Sequence, residues 1–177
     1  MATATHIPLE QYLSTEYQPD AEYVDGEVEE RNAGEYEHNL VQLALVNWFN
    51  ERGREWNIRS IQEQRTRLTP TRYRVPDVCV FNRTLPRESI FTQPQLVAIE
   101  VLSPEDKHSK IQERIEDFIN FGIRNVWVVD PIKRMGWNCS DGNWTRQERF
   151  TVSGTPIYLS LHELFLRIDA EEKISGK

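Results

Sequence analysis

Residues 96–131 carry the most restrictive pattern in the chain: an apolar run, an amphipathic stretch and a second apolar run. Leu96-Val97-Ala98-Ile99-Glu100-Val101-Leu102 is apolar on both faces apart from one carboxylate, as strands in the middle of a sheet are. Ser103-Pro104 ends it. Residues 105–121 then place Ile111, Ile115, Phe118 and Ile119 in the stripe of a helix lying on a sheet, with Gly122 as its C-cap. Asn125 to Pro131 (NVWVVDP) is a second buried strand. Strand, helix and strand joined at this length make a βαβ crossover, so the two strands are expected to run parallel.

The upstream elements extend this unit. Over residues 36–50, Leu40, Leu43, Ala44 and Trp48 recur at helical spacing and Gly53 follows, which predicts a helix. An extended stretch covers roughly residues 57–69, with Arg65 and Arg67 on one face of a period-two strand. After Thr69-Pro70-Thr71 comes a short β-rich run, Val75-Pro76-Asp77-Val78-Cys79-Val80-Phe81. The order over about residues 36–131 is helix, three strands, helix, strand: an α/β core. Hairpins are expected on both sides of it. One turns at Asp25-Gly26, after a short amphipathic helix (Leu9, Tyr12, Leu13) ending before Pro19. The other joins Met135–Trp137 to Trp144–Val152 around Asp141-Gly142, and a last short helix falls near Leu161–Leu166. No repeat or Gly/Ser linker divides the 177 residues, so a single domain is expected.

Two side chains are out of place in such strands. Asp77 follows Val75-Pro76, and Glu100 interrupts LVAIEVL. A lone buried carboxylate costs several kcal/mol, so each needs a cation, hydrogen bonds or a metal. An ordinary ion pair with a nearby Lys or Arg would satisfy either one singly. Together they say more, because consecutive strands of a meander can bring both to one end of the sheet. Two carboxylates with a backbone carbonyl beside them form a hard oxygen site suited to Mg²⁺ or Mn²⁺. The helix that follows offers Lys107, Lys110 and Arg114 on one flank. Phosphodiester hydrolysis needs an activated water and charge neutralisation at phosphorus, which metal and cation supply.

These segments carry a resemblance. VPDVCVF, IEVLSPED and ERIEDFINFGIRNVWVVDP, with the EYVDGEVEERN hairpin and the helix opened by His38, resemble the bacterial family of "putative restriction endonucleases" over about residues 20–167. That family is a branch of the PD-(D/E)XK nuclease superfamily, whose core is similar to the element order above. The resemblance implies that Asp77 and Glu100 are the motif acids and bind Mg²⁺ together with the carbonyl of Val101. Where the superfamily pattern has a lysine two residues after the acid, this chain has Leu102. The bacterial branch moves that lysine into the next helix, where counting back from Gly122 leads to Arg114. Arginine does not give up its proton near neutral pH, so Lys110, one turn earlier, is the better expected proton carrier. Glu22 and His38 are the remaining candidates near the metal. A lone histidine is more often an ordinary hydrogen-bonded side chain.

The formal net charge of −7 argues against nucleic acid as a partner, but it is unevenly spread. Residues 1–37 hold ten acidic side chains and a single cation, Arg31, whereas residues 51–74 carry seven arginines against three glutamates. Local field matters more than the total. Arg65, Arg67, Arg72 and Arg74 are the expected contacts to a DNA backbone. Trp127, Trp137 and Trp144 suit core packing or a homodimer surface better than base stacking. Two cysteines, Cys79 and Cys139, without CxxC spacing suggest a reducing cytoplasm. No apolar run reaches the roughly 18 residues of a membrane span, and the first residues lack the cationic and apolar blocks of a secretory signal. Gly-rich phosphate loops are absent too. The expectation is a Mg²⁺-dependent DNA endonuclease; the alternative is a nuclease-fold protein that no longer cuts and serves to bind DNA or protein.

Overall fold

The computed structural model describes residues 6–18, 20–32 and 34–175. Its centre is a six-stranded sheet. The strands are β3 (Ile58–Gln62), β6 (Val78–Asn82), β7 (Val97–Val101), β8 (Val126–Asp130), β9 (Met135–Asn138) and β10 (Thr145–Arg146), lying in the order β10-β9-β8-β7-β6-β3. Neighbours are antiparallel except β7 and β8, which run parallel as the crossover requires. The crossover helix α3 spans His108–Phe121 and ends at Gly122, whose φ of 106° is the left-handed cap that glycine adopts without strain.

Alternation along the strands sorts the side chains into two layers. Val78, Val80, Val97, Ile99 and Val101 join Trp127, Val129 and the helix α2 (Tyr36–Glu51) in one apolar cluster. Ala98, Val126 and Val128 face the other way, onto Ile111, Ile115 and Phe118 of α3. Helix α4 (Leu161–Ser175) covers α2, while β11 (Arg149–Thr151) and β12 (Tyr158–Ser160) pair with each other.

A second sheet lies beside α3. It consists of β1 (Ala21–Val24), β2 (Glu27–Glu30), β4 (Thr66–Thr69) and β5 (Arg72–Arg74), in the order β2-β1-β5-β4. Its hairpin turns at Asp25 (φ 50°) and Gly26 (φ 101°), the two positive φ values that a tight two-residue turn demands. One face of this sheet gathers Tyr23 and Tyr73 around Tyr12 of α1 (Leu9–Ser14), and the other meets α3. Pro19, the expected stop of α1, lies outside the described residues.

Three expectations need correction. The stretch 57–69 is not one strand: Glu63 (φ 52°) breaks it, sending β3 into the main sheet and β4 into the second. Helix α2 turns a different face to the sheet, burying His38, Val41, Gln42, Leu45, Trp48 and Phe49 and leaving Leu43 exposed. LVQLALVNWF is apolar nearly all round, so periodicity alone does not select the face, and Leu40 and Ala44 lie toward α4 instead. In the C-terminal region only Thr145–Arg146 returns along β9; Arg149–Thr151 leaves to pair with β12, and the last helix extends well past Leu166.

Candidate active site

The register of β6 and β7 fixes the central relation. Val78 pairs with Ile99 and Cys79 with Ala98, so one further step sets Asp77 opposite Glu100 on the face toward α3. Directly opposed residues hold their Cβ atoms roughly 5 Å apart, and two like charges so placed repel. Both are buried, Asp77 with 4% and Glu100 with 1% of its surface exposed.

Asp77 is clamped from every side. Its carbonyl accepts from Gln42 Nε2 of α2 at 2.9 Å and from the Glu63 amide at 3.1 Å. Its carboxylate accepts from the Val101 amide at 2.8 Å, lies 3.4 Å from His38 Nε2 and is ion-paired to Arg31. Burial alone would raise the Asp77 pKa, but the His38 hydrogen bond, the Arg31 charge and the Val101 amide together hold it below the ordinary carboxylate value. Burial likewise pulls His38 down, and the bond to Asp77 outweighs it, keeping the imidazole above its usual pKa.

Glu100 has the opposite balance. Its Oε2 lies 3.4 Å from Arg114 Nη1, while its Oε1 has no hydrogen-bond partner among the described residues. Burial first, then the charges of Asp77 and Glu22, push its pKa up to about 8 against the pull of Arg114. Glu100 is thus the under-compensated member of the pair.

A layer of cations and acids surrounds the pair. The β1–β5 register sets Glu22 opposite Arg74, and both are fully buried. Glu22 accepts from Arg74 at 2.8 Å, from Arg114 Nε at 3.1 Å and from the Val75 amide at 2.9 Å. Arg74 also reaches Glu29 on β2 and Glu113 and Asp117 on α3. Glu22, Arg114 and Glu100 are thus linked directly, while Asp77, held by Arg31, His38 and the Val101 amide, acts on Glu100 through its charge.

Lys110 does not. It is half exposed and pairs with Glu29 at 2.5 Å and Glu113 at 3.3 Å, so the helix cation that reaches Glu100 is Arg114. The expected DNA-contacting arginines are mostly engaged internally. Arg74 is enclosed by four carboxylates, Arg72 pairs with Asp25 and Asp117, and Arg65 pairs with Asp20. Arg67 alone of the four is exposed with no ion pair among the described residues. Trp127 is buried in the main core, and Trp137 and Trp144 lie edge to face against each other beside α3. Arg31 and Gln42 had not been expected at the site. Arg31 carried a signal, as the one cation among ten acids in the first 37 residues; Gln42 carried none.

The donor chemistry fits a divalent ion. A cleft of about 30 Å³, room for a water or an ion, opens on Asp77, Val101 and Arg114, without Glu100 in its lining. Among the described residues no three His, Cys, Asp or Glu side chains converge as a metal cluster. Mg²⁺ does not require that, since it commonly takes one or two carboxylates and keeps several waters. The unpartnered Oε1 of Glu100 is the acceptor such an ion would satisfy.

These elements make a mixed α/β fold with an acid pair opposed on β6 and β7 and a cation on the crossover helix. The family model described as "Uma2: Putative restriction endonuclease" matches residues 9–168, and the chain belongs to that family. Among solved structures, the fold is similar to a putative nuclease belonging to DUF820 from Anabaena variabilis ATCC 29413. The TM-score is 0.72 at 24% identity, covering 92% of this chain and 99% of that one. No curated protein matches. Among the described residues, no helix is long and apolar enough to cross a membrane.

Proposed function

We propose that this chain is a Mg²⁺- or Mn²⁺-dependent DNA endonuclease that hydrolyses phosphodiester bonds at the Asp77–Glu100 pair. The observation that carries this reading is the opposition of two buried carboxylates on one face, one of them with an acceptor oxygen left unsatisfied. Asp77 and Glu100 would hold the ion. The Val101 carbonyl would join them, because the N–H and C=O of one strand residue point to the same side and the Val101 amide already faces Asp77. When bound, the ion supplies an activated water and charge neutralisation at the phosphoryl group.

The remaining roles belong to the chain itself. Arg114 is oriented by Glu22 and Glu100 and neutralises negative charge developing on the phosphoryl oxygens. It moves no proton, because guanidinium stays protonated. His38 and Gln42 are positioning residues, holding the Asp77 side chain and backbone. Arg31 occupies one Asp77 oxygen and must yield part of that contact when an ion enters.

The test is cleavage of plasmid and short duplex DNA with Mg²⁺ or Mn²⁺. Asp77→Asn and Glu100→Gln should each lower the rate on the order of 10²-fold or more. Equal cutting by wild type and both variants would overturn the assignment. Metal-dependent DNA binding without cleavage by wild type would favour the binding-module alternative.

A further inference from the structure

We propose that the groove along edge strand β3 is a track for one strand of DNA leading away from the Asp77–Glu100 pair; this rests on the nuclease reading and names the surface that serves it. The groove is open, about 460 Å³, and bordered by Arg59, Arg83, Arg87, Phe81 and Phe91. Arg59 and Arg87 are exposed and have no hydrogen bond or ion pair among the described residues. Arg83 is braced through its Nε by the carbonyls of Gly53 and Ile58, each at 3.0 Å, with its terminal nitrogens left unpaired among the described residues. The one acidic member, Glu88, is occupied by Thr92.

In a chain of net charge −7, three arginines gathered without acidic partners single out this groove for a polyanion. Half-buried Phe81, edge-on to Phe91 at 5.1 Å, supplies an aromatic surface beside them. Cationic grooves interleaved with aromatics are the usual bed of a single strand. Register connects the groove to the acids. Arg59 pairs with Phe81 and Ile61 with Cys79, and the same alternation continues to Asp77, so all lie on the face that bears Glu100. Four residues of strand separate Phe81 from Asp77, about 13 Å, or about four stacked nucleotides of one DNA strand.

The experiment is fluorescence anisotropy with labelled 20-mer single-stranded and duplex DNA, over a salt series in EDTA. Arg59→Ala/Arg87→Ala is compared with Arg124→Ala/Arg146→Ala, which changes the charge equally away from the groove. The groove variant should bind at least about tenfold more weakly and reduce the salt slope by about two, at unchanged melting temperature, while the control binds as wild type. Equal weakening by both variants, or none by the groove variant, would overturn the track and leave Mg²⁺-dependent cleavage to judge the nuclease reading separately. Competition by poly-glutamate as strong as by DNA would also overturn it, in favour of an acidic protein partner.

Discussion

The two faces of the central sheet are built from the same strands and each packs on a helix, but only one of them also buries charge. Toward α2, Val78, Val80, Val97, Ile99 and Val101 interlock with Leu45, Trp48 and Phe49 in a dry apolar layer. Toward α3, Ala98, Val126 and Val128 pack on the helix, and Asp77 and Glu100 stand beside them, Glu100 tied through Arg114 to Glu22 and Arg74 of the second sheet. Burying apolar surface contributes stability without asking for partners, whereas each buried charge must be matched or it costs several kcal/mol. The α2 face is thus apolar across the sheet, whereas the α3 face adds to its own apolar cluster a set of buried charges that must be matched. Within the charged layer, Asp77 is over-supplied with donors and Glu100 under-supplied.

Variants can break this contrast. In the apolar layer Phe49→Ala should cost about 3–5 kcal/mol in urea unfolding, through lost transfer energy and a cavity. In the charged layer Arg74→Ala should cost as much, about 3–5 kcal/mol, by removing the buried cation shared by Glu22, Glu29, Glu113 and Asp117 and leaving Glu22 to Arg114 alone. A loss below about 1 kcal/mol there would mean that the acids readily find water.

A subtler effect is expected from pH. The folded-state pKa of Glu100 is raised to about 8 from 4.5, so its stabilising contribution is complete below pH 4.5 and is lost as pH rises through about 8. Melting in EDTA should show wild type losing stability between about pH 5 and 8 relative to Glu100→Gln. A constant difference between the two would contradict the uncompensated carboxylate. The smallest effect belongs to Lys110→Ala, which removes an exposed pair worth about 0.2–1 kcal/mol and should leave cleavage unchanged, while Arg114→Ala slows it.

Much of the fold was legible because its signals are local. The βαβ unit is written in two apolar runs and one clean helical stripe, and the Asp25-Gly26 hairpin in a turn that needs positive φ. Asp77 and Glu100 were legible as well, since carboxylates within apolar strands demand an explanation. Other features were not. Whether Lys110 or Arg114 faces Glu100 depends on one helical turn and on where α3 lies between the sheets, which sequence spacing does not determine. The break at Glu63 carries no glycine or proline, so the chain reads as continuous through it. Arginines 65, 72 and 74 looked like a basic face because their acidic partners, Asp20, Asp25, Glu22 and Asp117, are distant in sequence.

The most direct check is calorimetric titration of Mn²⁺ into wild-type protein and into Asp77→Asn and Glu100→Gln at pH 7.5, with no DNA present. One ion per chain should bind wild type, and each substitution should weaken it about tenfold or more. Wild-type protein that takes up no ion, or variants that bind it equally well, would mean that the facing acids on β6 and β7 are not a joint metal site.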